Sequence, residues 1–131
     1  MSNLKVHHTG FAVRDIGDAL PNWICDGYSV AIAQVDDIAI GVACILLTDT
    51  SGLSVELVAP LPGTNSLSSR LRRGGGLDHI CYETKDINVQ LEFEQANGAL
   101  IVMEPKISVL FDKPVAFVLR KTGLLAEFIE V

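Results

Sequence analysis

His8 and His79 stand 71 positions apart (79 − 8), and Glu56 and Glu127 stand 71 apart as well (127 − 56). The neighbours repeat at the same offset: HTGFAVRDI at 8–16 is matched by HICYETKDI at 79–87, and LSVELV at 53–58 by LLAEFI at 124–129. An internal repeat constrains a fold more than any local pattern, because each copy must be the same supersecondary unit. Neither copy of roughly 70 residues buries enough surface to be secure alone, so the pair is expected to form a single domain over 1–131. Two histidines and two glutamates set in apolar strands can supply one metal site if the halves pair about a pseudo-twofold axis.

Each copy reads β-α-β-β-β. In the first, strands are expected at 5–13, 28–34, 40–47 and 53–59, with a helix capped by Asp18 in preference to Asp15, so that Pro21 stays in the first turn, and ended by Gly27. Ser66 is expected to cap a short helix through Leu71 or Arg72, and the glycines at 74–76 to link the halves. In the second, strands are expected at 77–84, 99–103, 114–119 and 125–131. A helix between them is capped by Asp86 or Asn88 and ends at Asn97–Gly98. The fold class is α+β: two paired βαβββ modules, about 5–60 and 77–131, forming an incomplete β-barrel around a metal site.

Strand alternation puts His8 with Gly10 and Ala12 on one face, and Glu56 with Ser54 and Val58. A carboxylate in VELV or AEFI has little polar company, and burial without a cation is costly. Each of the four residues alone reads as a satisfied core histidine or a solvated glutamate; their pairwise recurrence favours metal ligation. Two imidazoles and two carboxylates suit cobalt, nickel, zinc, manganese or iron in the divalent state. His7 points to the opposite face from His8 and is expected to pack or lie at the surface.

The formal net charge of −6, from 16 acidic and 10 basic residues, argues against nucleic-acid binding. Arg70, Arg72 and Arg73 form a basic knot, more readily a solvated turn than an anion site. Cysteines at 25, 44 and 81 are too few and too widely spaced for a disulfide framework and read as small buried hydrophobes. The start of the chain lacks an apolar signal core, and no apolar run is long enough to span a membrane, so a cytoplasmic protein is expected.

At VHHTGFAVRDI (6–16), VELVAPLPGTNS (55–66), GGGLDHICYETKDI (74–87), KPVAF (113–117) and AEFIEV (126–131) the chain resembles the vicinal-oxygen-chelate superfamily of glyoxalases, bleomycin-resistance proteins and extradiol dioxygenases. Within it the chain is most similar to the methylmalonyl-CoA epimerases. The resemblance implies that His8, Glu56, His79 and Glu127 hold a divalent metal, with Glu127 also moving a proton. It implies a small-molecule substrate, such as a CoA or other thioester or an α-oxo compound, handled through a metal-chelated enolate, and a homodimer. A glyoxalase I-like lyase is the first alternative, and a non-catalytic resistance protein sequestering an apolar metabolite or antibiotic the second.

The chain departs from the epimerase pattern in two places. The family's glutamate base falls at Ala39, and a small loop containing glycine and histidine is replaced by ISVLFD at 107–112. Ala39, Ser66 and Phe111 are therefore the candidate substrate-lining positions, and Asp36 or Asp37 the candidate replacement base.

Overall fold

The computed structural model describes residues 3–131. Among them the order is β1 (Lys5–Ala12), α1 (Ile16–Cys25), β2 (Ser29–Asp37), β3 (Val42–Thr48), β4 (Ser54–Pro60), α2 (Ser68–Arg72), β5 (Gly76–Thr84), α3 (Ile87–Ala96), β6 (Leu100–Ile107), β7 (Pro114–Leu119) and β8 (Leu125–Glu130). This is βαβββ twice, with the short α2 between the copies.

The duplication extends to the pairing register. β1 runs parallel to β4 with Gly10 opposite Glu56, and β5 runs parallel to β8 with Cys81 opposite Glu127. Both members of the second pair lie 71 positions beyond those of the first. The irregularities repeat too: β2 shifts register against β3 between Val30, Ile32 and Val35, and β6 against β7 between Ile101, Met103 and Lys106. A bulge increases local twist and re-aims side chains, so each copy bends its outer hairpin at the same two points.

Contacts divide the chain into two compact units, one of residues 3–8 with His79–Val131 and the other Thr9–Asp78. The change of unit falls within β1 and within β5 rather than at the glycines of 74–76, and Gly76 already opens β5.

In the Thr9–Asp78 unit the strands lie in the order β2-β3-β4-β1. Ile16, Ala43, Ile45, Leu47, Val55, Leu57 and Ala59 form its core, and Phe11, Leu20, Trp23 and Tyr28 pack against them. Asp15, not Asp18, caps α1, its carboxylate accepting from the Asp18 backbone N–H at 2.9 Å. The helix thus begins where buried Ile16 must meet the core, and Pro21 lies inside it rather than in its first turn. The proline sacrifices one N–H bond, and the apolar face against β3 and β4 compensates. The expected Ser66 cap is also corrected. The N-cap of α2 is Leu67 in the left-handed region (φ 65°), and the Ser66 hydroxyl instead donates to the Ile40 carbonyl at 2.7 Å. Gly41 turns beneath it at φ 83°, where an added Cβ would fall 2.7 Å from that hydroxyl.

In the other unit the order is β5-β8-β7-β6. The start of β1 lies antiparallel to β5, with Lys5 Nζ 4.0 Å from Glu83 at one end and His8 beside His79 at the other. The core is Ile87, Leu91, Ala99, Ala116, Val118, Ala126 and Phe128. Asp86 caps α3, accepting from the N–H groups of Asn88 and Val89, both at 3.1 Å. Asp86→Ala should therefore lower stability by about 1 kcal/mol in chemical denaturation. Asn88→Ala, which removes no cap, should stay within about 0.5 kcal/mol.

Behind α3 the Arg120 guanidinium grips Glu94 through two hydrogen bonds, at 2.9 and 3.1 Å, and lies over the Tyr82 ring. Gln90 donates to the same carboxylate at 3.1 Å, so this buried acid is neutralised within its own unit. Cys44 and Cys81 are buried as expected, whereas Cys25, at the last turn of α1, is exposed.

Candidate metal centre

His8 ends the stretch of β1 that belongs with the second repeat, His79 lies on β5 beside it, and Glu127 lies on β8, next to β5. Alternation turns all three side chains inward, and they are 1%, 2% and 4% exposed. His8 Nε2 and His79 Nε2 face each other at 3.3 Å. Glu127 Oε1 stands 3.2 Å from each of them, closing a triangle of donor atoms.

Those spacings suit a shared cation. Ligand atoms bonded at about 2.1 Å stand about 3.0 Å apart at right angles and about 3.4 Å apart at the tetrahedral angle, and the three edges fall between these limits. The donor set is also what a divalent first-row metal takes: neutral imidazole nitrogen and carboxylate oxygen.

Aromatic rings hold the imidazoles in place. Phe111 stacks on the His8 ring at 5.0 Å and 24°, and Phe117 meets the His79 ring edge-on at 5.3 Å. Phe111 comes from the ISVLFD segment, whose turn is tied by Ser108, its hydroxyl accepting from the N–H groups of Leu110 and Phe111. Leu110 is buried, and Cys81, Val115 and Ile129 form a small apolar cluster against which Phe111 and Met103 pack. The apolar loop is thus the wall beside the first histidine.

His7 departs from its expected place. Its Nδ1 lies 2.8 Å from His8 Nδ1, and its ring meets Phe111 edge-on at 5.1 Å. His7, His8 and Cys81 each offer an atom within 4.8 Å of one another. Alternation fixes where Cβ points, but an imidazole is long enough to lean back over its own strand, and Phe111 gives both rings a common surface. Partial burial, then electrostatic interaction with the adjacent His8 imidazole, holds His7 below the ordinary imidazole value.

The other candidate positions belong to the Thr9–Asp78 unit. Glu56 is mid-strand in β4 and 7% exposed. Ala39 is exposed in the turn between β2 and β3. Asp37 is buried at the end of β2, its Oδ1 accepting from the Ile40 N–H at 3.3 Å, whereas Asp36 is exposed. Ser66 is engaged with the same turn through the Ile40 carbonyl. Arg72 and Arg73 are exposed. No helix of the described residues is long and apolar enough to cross a membrane.

A family profile described as the glyoxalase/bleomycin resistance protein/dioxygenase superfamily matches residues 7–117. The chain belongs to that superfamily. An ethylmalonyl-CoA/methylmalonyl-CoA epimerase from Cereibacter sphaeroides is 30% identical over 133 residues, covering 97% of this chain and 98% of the relative. Among solved structures, a hypothetical protein from Bacillus halodurans C-125 superposes with a TM-score of 0.83 at 26% identity, covering 99% of this chain and 96% of that one. The Streptomyces coelicolor methylmalonyl-CoA epimerase in complex with 2-nitronate-propionyl-CoA superposes with a TM-score of 0.82 at 19% identity, covering 98% of each chain. Superfamily membership accounts for the duplicated βαβββ module, which these likenesses share along nearly the whole chain.

Proposed function

We propose that this superfamily member is a divalent-metal-dependent isomerase or lyase of the epimerase kind, acting on an acyl-CoA or other thioester. The observation that carries the reading is the buried His8–His79–Glu127 triangle, in a chain 30% identical to a CoA-thioester epimerase. Glu56 is the fourth ligand on this reading. Its support is the repeated register, Gly10 opposite Glu56 in one copy and Cys81 opposite Glu127 in the other, together with its burial.

A bound divalent ion would supply Lewis acidity to the substrate's carbonyl oxygen, lowering the cost of removing a proton from the adjacent carbon. The protein's part is to hold the donors without reorganisation. His8 and His79 would offer their Nε2 atoms, Phe111 and Phe117 fix their ring planes, and burial excludes water, which strengthens every charge interaction inside. Glu127 uses one carboxylate oxygen toward the imidazoles, and its second oxygen is the proton carrier.

Protein reloaded with cobalt or zinc should exchange the α-hydrogen of an acyl-CoA with solvent deuterium, and chelation should stop the exchange. Full exchange by verified metal-free protein would overturn the reading. Phe111 against His8, with Ala39 where the family places a base, favours a second reading in which the site sequesters an apolar molecule. Tight binding of apolar thioesters with no exchange under any metal would select it. Phe111→Ala should then weaken that binding.

A further inference from the structure

We infer that Arg14, Arg70, Arg72 and Arg73 form an anion site at the turn joining α2 to β5, and that it takes the phosphate groups at the nucleotide end of a CoA thioester. The inference deepens the substrate class proposed above and rests on it.

These four arginines are all of the basic residues between Thr9 and Asp78, a stretch otherwise rich in aspartate, and none is a lysine. Arg14 follows β1, whereas the other three lie in or just after α2. Two contacts bring both groups to one turn. Arg14 Nη2 donates to the Leu71 carbonyl at 3.1 Å, across 57 positions of chain. Arg70 folds back over the start of β5, with its Nη2 4.0 Å from where a Cβ on Gly76 would lie. The turn is also pressed against the end of β1, since a Cβ on Gly75 would fall 2.6 Å from the Ala12 carbonyl oxygen.

Recognition falls to the side chains. The backbone N–H groups of Arg73 and Gly75 donate to the Arg70 carbonyl and that of Gly74 to the Leu71 carbonyl, which closes the end of α2. Arg72 and Arg73 are exposed. Arg70 Nε is buried and has no hydrogen-bond partner among the described residues. A buried donor left unpaired is costly, and an oxyanion held in the fork of that guanidinium would satisfy it. Asp15, the acidic neighbour of Arg14, is engaged with the Asp18 N–H. A solvated turn accounts for Arg72 and Arg73 but leaves the Arg70 donor unexplained.

Arginine in preference to lysine suits phosphate, because the planar fork makes two parallel hydrogen bonds to one phosphate group. A patch this small, in a chain of net charge −6, fits a compact anion and not a nucleic acid. On the thioester reading that anion is the pyrophosphate and ribose phosphate of CoA, at the opposite end of the molecule from the reacting carbon.

The experiment titrates zinc-loaded protein with CoA and with pantetheine, which lacks the nucleotide. Both titrations are repeated in the Arg72→Ala, Arg73→Ala double variant and in Arg70→Lys. Wild-type protein should prefer CoA by about 10–100-fold at low salt. Added salt should shrink that preference, because exposed charges are screened. Each variant should lose about 10-fold of it, Arg70→Lys included, since lysine keeps the charge and loses the fork. Inorganic pyrophosphate should displace CoA from wild-type protein and leave pantetheine bound. A preference that salt and both variants leave intact would overturn the inference, as would equal losses for CoA and pantetheine, which mark a structural role. Equal binding of the two by a wild-type protein that exchanges the α-hydrogen of acyl-CoA would overturn the anion site and leave the thioester reading standing. A salt-sensitive CoA preference without exchange under any metal would overturn the enzyme and leave the anion site.

Discussion

His79→Ala should purify without stoichiometric metal, while wild-type protein handled identically retains roughly one divalent ion per chain. The imidazole removed is one corner of a triangle whose edges are 3.2–3.3 Å, so the remaining donors cannot close around the ion as before. The loss should exceed the approximately 10–100-fold cost of removing a ligand's hydrogen-bond partner. Thermal stability should respond in parallel. An ion that binds only the folded state adds about 4 kcal/mol at a thousand times its dissociation constant. Chelated wild-type protein should therefore melt lower, and chelator should leave the His79→Ala melting curve unmoved. Glu127→Gln and Glu56→Gln extend the test to the carboxylates. Full occupancy in Glu56→Gln would remove Glu56 from the ligand set and leave the triangle standing. Stoichiometric metal in His79→Ala, measured after gel filtration, would defeat the assignment.

The second large effect is a gain. Ala39→Glu should raise α-hydrogen exchange on methylmalonyl-CoA by about 10²–10⁴-fold, the usual contribution of a positioned acid or base. Wild-type protein should be slow by the same factor relative to dedicated epimerases. Ala39 is exposed in a turn whose geometry is fixed elsewhere, by Gly41 at φ 83° and by the Ser66 hydroxyl on the Ile40 carbonyl. A larger side chain there disturbs no core contact, so the variant should fold as wild type. Rapid exchange by wild-type protein, unchanged in Ala39→Glu, would place the base elsewhere. Asp37, whose carboxylate accepts from the Ile40 N–H in the same turn, is then the residue to replace with asparagine.

Much of this arrangement is legible in the residues, because the repeat supplies a second reading of every position. Asp15 and Asp86 stand 71 apart (86 − 15) and both cap helices, so the second copy argued for Asp15 even though Pro21 argued for Asp18. Proline propensity is local, whereas burial of Ile16 is set by the sheet, and burial prevailed.

The outer strands were harder to read. β2 continues through Asp37 and β6 through Ile107, beyond where alternation fades at Gln34 and Met103. Their bulges break the two-residue period, and an edge strand tolerates Asp36 and Pro105 because one side of its ladder is unpaired. The triangle itself was readable from spacing and apolar context. The contact between His7 and His8 was not, since period-two reasoning assigns adjacent side chains to opposite faces and says nothing of rings that lean together.

The division of β1 at His8 has a consequence for biosynthesis. His8 and Glu127 are 119 positions apart in the chain (127 − 8). The Thr9–Asp78 core can collect its strands as they emerge, but the unit holding the triangle needs its opening residues held in reserve until β8 arrives. Closing so long a loop is slow compared with forming local pairs. A nascent chain stalled anywhere before Glu127 lacks the complete triangle, so metal acquisition waits for β8.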